Sequence, residues 1–184
     1  FDGPELTFET DAGRYHAAVP ENEHDPVRLY VPSPTTMELN VPLDEAGPNG
    51  IDAVHFIHTG TEHLVVFVSD VDAVPVEEWA PPLRNDAWVQ PAGANVNFVE
   101  GSGNDTLRMR TFEKGVEGET LACGTGVLAA EAVARATNRV SADPVTVQTR
   151  GGTLAVGTET TDRGAERFLE GPVVTVFRGT LDIT

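Results

Sequence analysis

Cys123 is the only cysteine in the chain, and it opens the run Cys123-Gly124-Thr125-Gly126 immediately ahead of an apolar stretch. A helix starting there leaves its first backbone N–H groups without intrahelical partners, at the positive end of the helix dipole. Gly124 and Gly126 have no side chain to keep a ligand away from those groups. The combination makes an anion site. A thiol at such an end is favoured as thiolate, so Cys123 is expected to be the reactive thiol and to titrate below a free cysteine. Taken alone, the pair is explained as simply by a small buried cysteine before a glycine-rich helix start.

Other residue types could take part. Glu113-Lys114 pairs an acid with the only lysine among twelve basic residues, the other eleven being arginine. By itself the dipeptide reads as an exposed ion pair, and Asn95 as a polar residue at a strand end. His55, His58 and His63 raise the question of a metal. On a strand His55 and His58 face opposite sides, and no acidic or cysteine ligand joins them at a recognisable spacing, so no metal is expected.

The elements that must position these groups follow from hydrophobic period and turn chemistry. Strands are expected at 6–8, 15–19, 27–31, 53–58, 64–68, 94–100, 106–112, 145–149, 154–156 and 173–177. Residues 11–13, 44–49 and 101–105 read as turns or loops, the last a hairpin connection, and Pro32-Ser33-Pro34 stops the third strand. Residues 64–68 are apolar without alternation, as in a strand covered on both faces. Residues 76–84 have helical spacing, although Pro81 and Pro82 allow only a short or broken helix. The longest helix is expected over 126–136, where only Glu131 and Arg135 interrupt an apolar surface, so it is buried nearly all round. Many short strands with one buried helix indicate an α+β fold, a sheet wrapped on a helix.

The run from Thr111 through Glu113-Lys114 and Cys123 to Gly126 strongly resembles the C-terminal active-site signature of the diaminopimelate epimerase family. Gly60-Thr61-Glu62-His63 is similar to that family's glycine-to-histidine turn, and Gly93-Ala94-Asn95-Val96-Asn97-Phe98 to its asparagine-bearing strand. Gly151-Gly152-Thr153-Leu154 and Glu170-Gly171-Pro172 stand where its closing strands fall. The segments occur in family order across essentially the whole chain. The resemblance implies a diaminopimelate-epimerase-like fold, with mixed and antiparallel strands around a central helix. It implies cofactor-independent epimerisation of LL-diaminopimelate to the meso form, for lysine biosynthesis, by two thiols on opposite faces of one α-carbon. Cys123 would be one of those thiols, with Gly124 and Thr125 donating to the α-carboxylate. His63 and Glu113 would flank the thiols and set their protonation, while Thr61, Asn95, Glu113 and Lys114 would hold the substrate.

Two residues depart from the family pattern: Lys114 where many members carry arginine, and Thr61 where many carry asparagine. Lysine can neutralise a distal carboxylate but lacks the two-pronged contact of a guanidinium. The larger departure is the absence of a second Cys-Gly motif. The resemblance therefore implies a missing N-terminal segment carrying the partner cysteine, and a chain inactive alone. Residues 1–27 would be the tail of the N-terminal domain, 28–170 the C-terminal domain, and 171–184 a last strand returning to the first. A homodimer is expected from the family. A proline-racemase-like enzyme shares the Cys-Gly-Thr-Gly element, but the lead-in 113–120 argues against it. A non-catalytic half that binds a carboxylate without turnover is the third reading.

Composition bounds the partners. Twenty-nine acidic against twelve basic residues give a net charge of −17, which argues against nucleic acid and anionic membrane surfaces. Dense carboxylates with almost no lysine also suit a high-salt environment. A single cysteine permits no intrachain disulfide and points to the cytoplasm.

Overall fold

The computed structural model describes residues 5–180 apart from 23, 44–50, 52 and 104. The expected loop at 44–49 lies outside the described residues. In chain order the elements are β1 (Glu5–Thr10), β2 (Gly13–Ala18), β3 (Val27–Val31), β4 (Thr36–Glu38), β5 (Ala53–His58) and β6 (Glu62–Phe67). Helix α1 (Val76–Arg84) follows, then β7 (Asn95–Gly101), β8 (Thr106–Glu113), β9 (Gly118–Thr120), helix α2 (Gly124–Ala136), β10 (Val145–Thr149), β11 (Gly152–Thr161) and β12 (Gly164–Gly171). Among the described residues the strands form one sheet in the order β1-β2-β3-β12-β11-β10-β8-β7-β6-β5-β4, with β9 added against β8. Two of its pairings, β6 with β7 and β8 with β10, are parallel, and the rest are antiparallel. The fold is α+β, as the sequence pattern required.

The sheet curls around α2. Val127, Ala129, Ala130, Val133 and Ala134 are fully buried and pack with Val65, Phe67, Val99, Leu107, Val145, Val147 and Val156. Alanine at so many helix positions lets the strands approach closely, and burying each valine contributes about 1.5–3 kcal/mol. The opposite face of the sheet carries a second core, in which α1 covers Leu64, Val66, Val96, Phe98 and Phe112. The unbroken apolar run in β6 is explained by these two cores: Val65 and Phe67 face α2, while Leu64 and Val66 face α1. Glu131 and Arg135 form the expected i,i+4 pair at 2.7 Å, and Arg167 of β12 joins them.

Several boundaries differ from expectation. Helix α1 is not among them: it is the short helix expected over 76–84, nine residues that run unbroken through Pro81 and Pro82 because Val76, Ala80 and Leu83 anchor one face in the second core. Helix α2 begins at Gly124, with Cys123 extended at the N-cap (φ −125°, ψ 110°). The expected strand at 154–156 is part of the ten-residue β11, which pairs with β12. The expected strand at 173–177 is not formed. Pro172 has no N–H to extend β12, β12 is already paired on both edges, and Val174, Val176 and Phe177 lie exposed. No helix among the described residues is long and apolar enough to cross a membrane.

Candidate active site

Cys123 lies at the junction of a clamped loop and the buried helix. The loop descends from β8 through β9 and is held at both ends. Arg110 donates two hydrogen bonds to the Glu119 carboxylate, at 2.7 and 2.8 Å, and Arg150 adds a third at 3.0 Å. The Arg110 guanidinium also donates to the Val74 carbonyl at 2.7 Å, and the Glu119 N–H donates to Glu77 at 2.8 Å. The Gly151 N–H then donates to the Leu121 carbonyl at 2.7 Å. These contacts fix the backbone just ahead of Cys123, which is 8% exposed.

On the other side, the helix start rests on β6 and β7. The Thr59 hydroxyl, at the turn where Gly60 takes φ +100°, donates to the Thr125 carbonyl at 2.9 Å. Gly126 is required by close approach: a Cβ there would lie 2.3 Å from Asn97 Oδ1 and 3.3 Å from Cys123 Cβ. Asn97 is fully buried and uses its whole amide. Its Nδ2 donates to the Leu64 carbonyl at 2.9 Å and lies 3.1 Å from His63 Nδ1, while its Oδ1 accepts from the Thr111 hydroxyl at 3.0 Å.

That geometry fixes the tautomer of His63. A backbone carbonyl only accepts, so the atom facing Leu64 is the amide nitrogen, and His63 Nδ1 must accept its second N–H. The imidazole proton therefore sits on Nε2, which points at Thr125 Oγ1 across 3.0 Å. Thr125 accepts there and is left to donate to Cys123 Sγ, 3.4 Å away. Burial, reinforced by the Lys114 charge, brings the His63 pKa down to about 4, so the ring is neutral near neutral pH. The result is a directed chain of donors from Asn97 through His63 and Thr125 to the thiol.

The thiol itself corrects the sequence expectation. Burial pushes its pKa above the ordinary value, and the charge of Glu113 adds to that. The Thr125 hydroxyl and the N–H groups of Gly126 and Thr125 act in the opposite direction without prevailing. The helix N-terminus does favour the thiolate, but desolvation of its charge is the larger effect here.

Glu113 accepts a hydrogen bond from the Thr120 hydroxyl. Lys114 forms an ion pair with Glu62, whose carboxylate also accepts from the Thr61 hydroxyl at 3.2 Å. Hydrogen bonding to Lys114 holds Glu62 below the usual carboxylate range. Asn95 ties the two segments together: its Oδ1 accepts from the Lys114 N–H at 3.0 Å and its Nδ2 donates to the Glu62 carbonyl at 3.3 Å. Gly124 faces Leu169, 3.2 Å from where its Cβ would stand. Thus His63 and Thr125 reach Cys123 through hydrogen bonds and Glu113 acts on it through its charge, while Thr61, Asn95 and Lys114 converge around Glu62. His55 and His58 bond elsewhere, to the Asn40 N–H and to Thr35. Sequence reasoning passed over Asn97 and Glu62. A sign of Asn97 was present: a polar side chain inside the apolar strand Val96-Asn97-Phe98 needs buried partners.

The family model for diaminopimelate epimerase matches residues 55–176. The diaminopimelate epimerase of Methanothrix thermoacetophila is 48% identical over 141 residues, covering 77% of this chain and 45% of the relative. That of Aquifex aeolicus is 39% identical over 179 residues, covering 97% and 62% respectively. The chain therefore spans less than two thirds of the length of either relative. A probable proline racemase from Agrobacterium radiobacter K84, solved with bound carbonate, superposes with a TM-score of 0.65 at 21% identity, over 99% of this chain and 62% of that one. At that identity the likeness is one of fold.

Proposed function

Because this chain belongs to the diaminopimelate epimerase family, we propose that it supplies one of two acid–base thiols for the cofactor-independent epimerisation of LL-diaminopimelate to the meso form. The observation that carries the reading is the directed chain from His63 through Thr125 to Cys123, placed at the start of a buried helix.

An amino-acid α-C–H is a very weak acid, so the site must stabilise the charge that spreads onto the α-carboxylate as the proton leaves. The backbone N–H groups at the start of α2 suit that task, being fixed donors at a half-buried helix end. Cys123 rests as a thiol, since burial and Glu113 both disfavour its charge. It therefore begins as the acid, delivering its proton to the α-carbon as a base on the opposite face removes the original one. The thiolate left behind is stabilised by the Thr125 hydroxyl and the helix N–H donors, which together limit the cost of its burial. In the reverse direction the same sulfur is the base. Lys114 and Asn95 hold the far end of the substrate.

Inversion needs a second acid–base group, and no other cysteine exists in these 184 residues. We assign that role to an N-terminal segment of the same enzyme. The single cysteine also favours a second reading for the chain by itself: it binds the carboxylate without inverting the centre.

The test is α-proton exchange in deuterated water with LL-diaminopimelate and with L-proline, with and without the segment that carries the second thiol. Exchange and a meso product are expected for diaminopimelate only, and only with that segment present. Exchange of proline, or none of diaminopimelate with both segments present, would refute the proposal.

A further inference from the structure

A polar side chain inside an apolar strand costs stability unless its polar atoms are met, and Asn97 is met in a way that acts at a distance. It is fully buried on β7, in register with Val65 of β6 and Thr111 of β8. Its amide cannot turn over. Nδ2 donates at 2.9 Å to the Leu64 carbonyl, which only accepts, and Oδ1 accepts from the Thr111 hydroxyl at 3.0 Å. The amide also lies against Gly126, where a Cβ would stand 2.3 Å from Oδ1. One N–H is left over, and it faces His63 Nδ1 at 3.1 Å. His63 then carries its proton on Nε2, toward Thr125 Oγ1 at 3.0 Å, and the Thr125 proton is left to face Cys123 Sγ.

We infer that Asn97 is a positioning residue for the thiol: its amide sets the direction of the His63–Thr125–Cys123 chain, so that a hydroxyl proton stands ready for the thiolate formed during turnover. The inference rests on the reading of Cys123 as an acid–base thiol and adds to it a residue that acts through two others. Only protons distinguish the two directions of the chain. With Nδ1 protonated instead, Nε2 would accept from Thr125, the hydroxyl proton would turn to the ring, and the sulfur would lose its donor. The Leu64 carbonyl, which cannot change roles, is the fixed point that decides between them. Lys114, Glu62 and His58 also act on His63, and Glu113 on Cys123, and the substitution at position 97 leaves all four in place.

The test is Asn97→Asp, which keeps the shape of the side chain and replaces Nδ2 by oxygen. A neutral carboxyl there donates its one proton to the Leu64 carbonyl and accepts from His63 Nδ1, and an ionised one accepts from Nδ1 as well. Either way the ring proton moves to Nδ1. Nitrogen NMR of labelled histidine rings, with the His63 signal assigned by its loss in His63→Gln, should show the proton on Nε2 in wild type and on Nδ1 in Asn97→Asp. The pH midpoint of Cys123 alkylation should rise by about one to two units, the size of one hydrogen bond to a charged group. On a Thr125→Val background, where the chain is already cut, the same substitution should add little. In the enzyme containing both thiols, kcat should fall roughly ten- to a hundredfold with KM nearly unchanged. A wild-type ring protonated on Nδ1 would overturn the inference without any variant. So would a full midpoint shift on the Thr125→Val background, since Asn97 would then act on the sulfur by another route, or an unmoved midpoint once the proton has moved to Nδ1. If the wild type with both thiols exchanged no α-proton, the epimerase reading would fall, while the ring and alkylation results, read without substrate, would still decide this inference.

Discussion

Replacing His63 by glutamine should remove a specific part of the protein's sensitivity to acid. His63 is completely buried, accepts from Asn97 at one nitrogen and donates to Thr125 from the other. Its folded-state pKa is about 4, against 6.5 for an ordinary histidine. Between those values the unfolded chain takes up a proton that the folded chain refuses, so acidification favours unfolding. The stability linked to His63 is thus complete above about pH 6.5, falls as the pH drops, and is exhausted near pH 4. At 1.36 kcal/mol per pKa unit the full loss is about 3 kcal/mol, a substantial part of the 5–15 kcal/mol typical of a domain. The assay is urea denaturation at closely spaced pH values from 8 to 4, for wild type and His63→Gln. His55 is also shifted downward by burial, but it is common to both proteins and cancels in the difference. The glutamine variant starts less stable, and the gap should close by about 3 kcal/mol on acidification. Parallel curves would refute the assignment of a neutral, buried His63, and a gap that widened would reverse its sign.

The thiol should be unreactive for the same reason that His63 is neutral. The alkylation rate of Cys123 should reach half-maximum above the pH of a free cysteine, and Thr125→Val should move it further up by removing a donor to the thiolate; a midpoint below the free-thiol value would contradict this. Gly126→Ala should destabilise the protein by about 2 kcal/mol or more, because overlap with Asn97 outweighs the roughly 1 kcal/mol that alanine adds to a helix. A variant as stable as wild type in urea would refute that packing. Lys114→Ala should raise KM about ten- to a hundredfold with kcat nearly unchanged, since the distal end carries the same charge throughout the reaction. A collapse of kcat at constant KM would instead move Lys114 to the thiol chemistry, and Lys114→Arg should retain most activity.

What could be read from the sequence was whatever follows from local pattern. The apolar surface of α2 announced a buried helix, and the unbroken run in β6 announced a strand covered on both sides, since each depends only on which residues recur at which spacing. Cys123 with its glycines was likewise legible, because a helix start is a local event. The missing information was pairwise and distant. Nothing near Val173 in sequence reveals that β12 already has neighbours on both edges, so an apolar, β-branched stretch read as a strand that has no partner among the described residues. The direction of the Cys123 shift depended on how much of the molecule closes over the sulfur. Asn97 meets the start of α2 only because Gly126 has no side chain to hold the helix off β7. Glu62 looked like one more acid in a chain of twenty-nine until the fold set Lys114 against it.

On the proposed function, the Cys123 sulfur exchanges a proton with the substrate α-carbon. The most direct measurement is deuterium incorporation at that carbon of LL-diaminopimelate, catalysed in deuterated water by the enzyme containing both thiols, for wild type and Cys123→Ala. Steady incorporation with conversion to the meso form is expected for wild type, and loss of both in the variant while equilibrium binding of LL-diaminopimelate is retained. Incorporation by Cys123→Ala at the wild-type rate would contradict it.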